Sequence, residues 1–159
     1  MPAWRARRSS LGFTLVELLV VLVIIGITLG LATLNAIPSP RQDLENEAKR
    51  IALLLQLARD EAIVRNRLVA FEANGERYRF MVRGDTGWAP VTRDDLLRER
   101  SFKNPPLRLL LEPSGTGGPD MLRITFGREP VDRPFVLTLA SGANAVAIRA
   151  DGVGHFTVE

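Results

Sequence analysis

The sequence predicts an α+β fold in which a long N-terminal transmembrane and amphipathic helix, broken near Pro38-Pro40, packs on a β-sandwich-like antiparallel head. Three observations carry this. Residues 13–34 form an apolar stretch with one charge in it, apolar residues then recur at helical spacing as far as Ala62, and beyond Arg67 the hydrophobic period changes from about 3.6 to two. A chain of 159 residues, 46% apolar and 25% charged, has room for one modest core and something extra.

The something extra is the N-terminus. Every residue from 18 to 34 is apolar, Gly or Thr, and extending back to Phe13 admits only Glu17. As a helix rising about 1.5 Å per residue the stretch reaches roughly 33 Å, against a hydrocarbon core of about 30 Å. Arg5, Arg7 and Arg8 precede it, so the positive-inside bias keeps the N-terminus cytoplasmic and exports the chain beyond residue 34. A secretory signal also starts basic and turns apolar, but its apolar part is shorter and ends in a small-residue cleavage site. This run is long enough to stay as an anchor. Gly26 and Gly30 form a small-xxx-small pair that either lets helices approach closely or reflects the frequency of Gly in membrane helices.

Charge adds little beyond this. The net +3 comes from those three arginines; without the first twelve residues 18 basic side chains face 18 acidic ones. A basic pI therefore does not point to nucleic acid here. The absence of cysteine excludes disulfides, thiolate zinc sites and a cysteine nucleophile, and the core must suffice unaided.

Gly12-Phe13-Thr14-Leu15-Val16-Glu17 resembles the processing site of the type IV prepilin and pseudopilin family. The resemblance implies cleavage by a prepilin peptidase after Gly12, N-methylation of Phe13, and retention of the apolar helix. A glycine before the scissile bond lets extended backbone approach a protease closely. Glu17 needs its own account, because a carboxylate in hydrocarbon costs on the order of 2.5–3.5 kcal/mol on insertion scales. The family implies that it is the assembly charge partner, pairing with the N-terminal amine of a neighbouring subunit; the alternative is that it reaches into the head groups. The domains expected are a cleaved cytoplasmic leader at 1–12, a transmembrane and assembly helix at 13–36, an amphipathic head helix at 37–67 and an antiparallel β head at 68–159.

The first helix ends at Asn35-Ala36-Ile37-Pro38, since residues before proline leave the helical region. Ser39 as N-cap, Pro40 at the first helical position and Gln42 start the second, and Asp43, Glu45 and Glu47 suit the positive end of its dipole. Leu44, Ala48, Ile51, Leu55, Ala58 and Ala62 make one stripe of a helix running to about Asn66. Lys49, Arg50, Arg59 and Arg65 are placed on the opposite face, so the helix is a lid on a globular core. Val69, Phe71 and Ala73, then Asn74-Gly75, then Tyr78, Phe80 and Val82 predict a hairpin with a type I′ turn. Further strands are expected at 107–111, 121–126, 135–139, 145–150 and 153–158, with Asp151-Gly152 turning the last pair. Residues 92–95 are expected to cap a short helical turn containing Leu96 and Leu97, and a loop is expected at 114–119.

No catalytic residue, cofactor or metal site is expected. His155 is the lone histidine and reads as structural or superficial. The Gly115-Thr116-Gly117-Gly118 loop lacks the Lys-Ser/Thr of a phosphate-binding loop. Asp94 and Asp95 are adjacent, which sends their side chains apart, and Trp88 reads as a core plug or an assembly contact.

The head resembles the minor pseudopilin H family of type II secretion through Leu57-Ala58-Arg59-Asp60-Glu61-Ala62, Arg65, Val69, Phe71, Trp88, Leu96-Leu97 and Arg100. That implies a mechanical role: a minor subunit of a pseudopilus supporting protein export. It would be single-pass in a bacterial inner membrane with its head in the periplasm, and partnered by the prepilin peptidase, the major and other minor pseudopilins and the inner-membrane platform. The nearest rival is a minor type IV pilin serving pilus assembly or DNA uptake. Against DNA, six basic and six acidic residues balance from Lys103 onward, although Arg77, Arg79 and Arg83 are able to form a folded patch. A tethered enzyme or sensor would leave Gly12, Phe13 and Glu17 unexplained together.

Overall fold

The computed structural model describes residues 13–35, 39–92, 94–114 and 121–159, the stretch 31–35 by its backbone alone. The chain divides into two compact units, Met1–Pro38 and Ser39–Glu159. The first holds α1 (Leu15–Asn35), and the second opens with α2 (Pro40–Val64). Nine strands come after it among the described residues. They are β1 (Val69–Ala73), β2 (Arg77–Gly84), β3 (Gly87–Pro90), β4 (Arg100–Ser101), β5 (Arg108–Glu112), β6 (Leu122–Phe126), β7 (Phe135–Ser141), β8 (Asn144–Ala150) and β9 (Phe156–Val158).

Ser39 starts α2 as its sequence implies: its backbone is extended, its Oγ accepts the Gln42 N–H at 3.2 Å, and Pro40 follows. Of the three carboxylates assigned to the helix dipole, only Asp43 lies in the first turn. Glu45 instead pairs with Arg41 at 3.0 Å, and Glu47 is buried against Arg50. At the other end, where Arg65 is the C-cap, the Arg65 N–H donates to the Glu61 carbonyl and the Asn66 N–H to the Ile63 carbonyl, and Asn66 leaves the helix at φ +52°. The stripe from Leu44 to Ala62 is buried throughout, packed on β1 and β6 of one sheet and on β7, β8 and β9 of the other. Ile51 and Leu55, fully covered, each contribute about 1.5–3 kcal/mol through lost apolar surface.

Arg59 departs from expectation. The helical projection puts it in solvent, yet it is 7% exposed, because the loop carrying Pro130 and Asp132 and the turn at Gly154 close over it.

The first sheet runs β3-β2-β1-β6, with β4 also on β2; the second runs β5-β7-β8-β9, and the pairings are antiparallel. Phe71, Tyr78 and Phe80 fill the inner face of the first sheet, and Phe126 meets Phe156 edge-on where the sheets converge. The β1–β2 hairpin exists, but its turn is not type I′. Neither Asn74 nor Gly75 has a positive φ, and Asn74 Oδ1 accepts the N–H groups of Glu76 and Arg77, each at 2.9 Å. Gly75 serves close approach instead: its carbonyl accepts the Leu107 N–H at 2.7 Å, and a Cβ there would stand 2.9 Å from the Leu107 carbonyl oxygen.

No helical turn forms at Leu96 and Leu97. Asp94 Oδ1 accepts the N–H groups of Leu96 and Leu97 in a bend that drives Leu97 into the core. Strands β3 and β4 are not signalled by the sequence pattern, one holding a proline and the other two residues long, so neither shows alternation. The last strand is shorter than expected because Asp151 folds residues 151–155 into a turn, accepting from the Val153 and His155 N–H groups, with Gly152 at φ +84°.

Candidate assembly site

At the start of α1, Phe13 is exposed and Thr14 Oγ1 accepts the Glu17 N–H at 3.2 Å, the bond an N-cap makes three residues on. Thr14-Leu15-Val16-Glu17 is a capping-box pattern, the same signal that identifies Ser39 on α2, and it places Glu17 in the first turn. Among the described residues the Glu17 carboxylate has no ion-pair partner. Phe13 and Glu17 thus come together on one helix end. Gly12 and the arginines of the leader lie outside the described residues.

Around and beyond Glu17 the helix is apolar on every side, from Leu15 at 83% exposed through Val20, Ile24 and Ile27 to Leu29. Thr28 satisfies its own hydroxyl on the carbonyls of Ile24 and Ile25 at 2.9 and 3.0 Å. A Cβ on Gly26 or Gly30 would meet nothing within 4 Å. Among the described residues no helix is long and apolar enough to cross a membrane, and the expected span at 13–34 runs past residue 30, where description of the side chains stops.

The head buries three charged side chains among the described residues: Glu47, Arg59 and Glu72. Arg59 donates to the Pro130 carbonyl and faces Asp132 at 3.6 Å and the exposed Asp60 at 3.6 Å. Asp132 in turn accepts the Gly127 N–H at 3.1 Å, and its own N–H donates to the Gly152 carbonyl at 2.7 Å. One helix side chain therefore ties together the loop after β6 and the turn before β9. Glu72 lies between Arg79, 2.8 Å away, and Arg123, which grips it through Nε at 2.8 Å. Burial pushes the Glu72 carboxyl up, but the hydrogen bonds from Arg123 and Arg79 outweigh it and hold the group below the ordinary carboxylate range. For Glu47 burial wins over Arg50, and its carboxyl is raised.

None of the sequence candidates for chemistry sits in a catalytic arrangement among the described residues. His155 is exposed, its Nδ1 2.6 Å from Asp151 Oδ2, and that bond with the Val153 N–H lowers the Asp151 carboxyl to about 2. Asp94 caps the bend before Leu97 while the Asp95 carbonyl accepts from Arg100, so the two do not act as a dyad. The glycine loop at 115–118 and most of the expected 114–119 loop lie outside the described residues. Of the arginines considered as a phosphate patch, Arg77 pairs with Glu99 at 3.0 Å, Arg79 pairs with Glu72, and Arg83 stacks over Trp88. Trp88 is half-buried on the sheet surface and is not a core plug.

The relationships of the chain agree with this arrangement. Residues 7–33 match the prokaryotic N-terminal methylation motif, and residues 47–154 match the family described as Type II transport protein GspH. The type II secretion system protein H of Pseudomonas aeruginosa is 34% identical over 164 residues, covering 91% of this chain and 93% of the relative. Among solved structures, the minor pseudopilin EpsH of the Vibrio cholerae type II secretion system superposes with a TM-score of 0.60 at 16% identity. That match covers 76% of this chain and 98% of the other. The solution structure of Escherichia coli GspH gives 0.58 at 18% identity, covering 76% and 91%. These two likenesses establish the α+β fold, and the family match over the head, with the relative aligned along nearly the whole length, establishes the lineage. The chain belongs to the Type II transport protein GspH family.

Proposed function

We propose that this chain is a minor pseudopilin, a non-enzymatic subunit of the type II secretion pseudopilus that assembles at the inner membrane and in the periplasm to support protein export. The observation that carries the reading is the order of parts in one chain: a prepilin-type methylation motif, an apolar helix whose one carboxylate is unpaired among the described residues, and a GspH-type head. A prepilin peptidase cuts after Gly12 and the new amine of Phe13 is methylated. The apolar helix then holds the subunit in the inner membrane as a single pass, with the head in the periplasm.

Glu17 then acquires its role. A carboxylate among apolar side chains is tolerated in lipid when it is paired. The amine freed at Phe13 of a neighbouring subunit supplies a charge of the right sign, so processing and assembly are linked. The α1 surfaces pack against the major and other minor pseudopilins, and the growing filament rests on the inner-membrane platform of the secretion system.

The test is intact mass and N-terminal sequencing of membrane-extracted protein from cells with and without a prepilin peptidase, alongside export in cells lacking this gene. A start at N-methylated Phe13 only in the presence of the peptidase, with export restored by the gene, is the expected result. A retained leader, or a cut after residue 34, overturns the subunit reading. Correct processing with export unaffected and DNA uptake or pilus assembly lost would move the chain to the type IV pili.

A further inference from the structure

Cross-strand register puts an unusual set of side chains on the outer face of the first sheet. Glu72 on β1 stands opposite Arg79 on β2 and Arg123 on β6, and Arg83 on β2 stands opposite Trp88 on β3. Arg79 and Arg83 are four residues apart on one strand, so all five share the face turned away from Phe71, Tyr78 and Phe80. Two guanidinium groups stand over the indole, Arg123 at 5.4 Å and Arg83 at 5.8 Å from the ring centroid.

The charges on this face do not balance. Glu72 is buried and takes both Arg79 and Arg123. Arg83 is exposed and has no carboxylate partner among the described residues. The face is thus a half-exposed tryptophan, held by its neighbours, beside a cation with no anion of its own among those residues. Tryptophan and arginine are the side chains that most often dominate binding energy, and a ring already fixed loses little freedom on binding. β3 is the edge strand, so the platform opens to the side of the sheet as well as outward.

We propose that this Trp88–Arg83 platform is a docking surface for an acidic extended segment of a partner protein, one carboxylate pairing with Arg83 while the adjoining chain lies on the indole. The charge count decides the kind of partner. A nucleic acid strand presents a phosphate at every step and needs several free cations in a row. Of the four arginines on this face, Glu99 holds Arg77 while Glu72 takes Arg79 and Arg123 and adds a negative charge at the centre. A single carboxylate fits; a phosphate chain does not.

The test uses the full chain in detergent micelles and anisotropy of three labelled probes: a hexaglutamate peptide, a hexalysine peptide and a twelve-residue oligothymidylate. Hexaglutamate should bind, about tenfold or more weaker to Arg83→Glu and to Trp88→Ala, and unchanged with Arg149→Glu on the second sheet as a control for bulk charge. Arg83→Gln, which removes the charge without reversing it, should fall between wild type and Arg83→Glu, and serves alone should the reversal disturb folding. Hexaglutamate binding that is absent, or indifferent to Arg83, overturns the proposal, as does hexalysine binding equally well. Oligothymidylate binding more tightly than hexaglutamate overturns it in favour of a nucleic acid face. Because none of these readouts depends on processing at Gly12 or on export, failure here leaves the filament-subunit reading standing, and the converse also holds.

Discussion

Replacing Arg59 by Ala should be the most damaging single change in the head. Arg59 is 7% exposed, and its guanidinium donates to the Pro130 carbonyl and faces the largely buried Asp132 at 3.6 Å. Truncation leaves Asp132 without its cation and Pro130 without its donor. Removing one partner of a buried ion pair costs about 3–5 kcal/mol, against about 1 kcal/mol for an average substitution. The 3.6 Å separation is longer than a hydrogen bond, and Asp132 keeps the Gly127 N–H, which argues for the lower end, about 3 kcal/mol. For a head of this size that corresponds to roughly 10–15 °C in Tm. The assay is urea unfolding of the full chain in detergent, followed by Trp88 fluorescence in a Trp4→Phe background. Arg59→Met separates the contributions, because it keeps the stem and removes the charge. A loss below about 1 kcal/mol for Arg59→Ala, or full recovery with Met, would refute the view that the charge closes this corner. In a double-mutant cycle with Asp132→Asn the coupling should fall within about 0.5–3 kcal/mol.

The same corner and α1 yield further expected outcomes. The Asp151 carboxyl sits at about 2 against an ordinary 3.8, so its stabilising effect is complete above pH 3.8 and is lost as pH falls through about 2. Unfolding curves of wild type and Asp151→Asn should therefore differ at pH 5 and converge toward pH 2, and a gap that is constant with pH would contradict this. Gly152→Ala should cost well over 2 kcal/mol, since a φ of +84° combines with a Cβ driven into the Asp132 carbonyl. Gly142→Ala, at φ +57° with open space around it, should cost only about 1 kcal/mol by the same melting assay. Glu17→Gln should still be cut after Gly12, as read by intact mass, yet fail to cross-link into filaments; equal assembly would sink the charge-pairing role.

What the sequence made legible is what depends on periodicity and local chemistry. The stripe from Leu44 to Ala62 is buried because it recurs at helical spacing, and Ser39 caps α2 because an oxygen side chain there reaches the Gln42 N–H whatever surrounds it. The N-terminal motif is legible for the same reason: it lies along one segment, and residues 7–33 match the methylation motif. Features made by segments distant in sequence were not legible. Arg59 looks solvent-facing on a helical projection, and only the loop some seventy positions later that carries Pro130 and Asp132 turns it into a buried hub. The same holds for Gly75, whose neighbour is Leu107, and for Trp88, whose second guanidinium comes from Arg123.

One of these distant pairings carries a signal that alternation alone does contain. In β1 the polar Glu72 falls between Phe71 and Ala73 at a position facing outward, and arginines stand at the matching positions of β2 and β6. Once β6 is known to lie beside β1, the Arg–Glu–Arg row follows from register. Without that knowledge three arginines of the first sheet read as a loose basic patch. Topology therefore changes the electrostatic conclusion as well as the packing: it assigns two cations to Glu72, leaves Arg83 beside Trp88 without a carboxylate among the described residues, and turns a suspected phosphate surface into one suited to a single carboxylate.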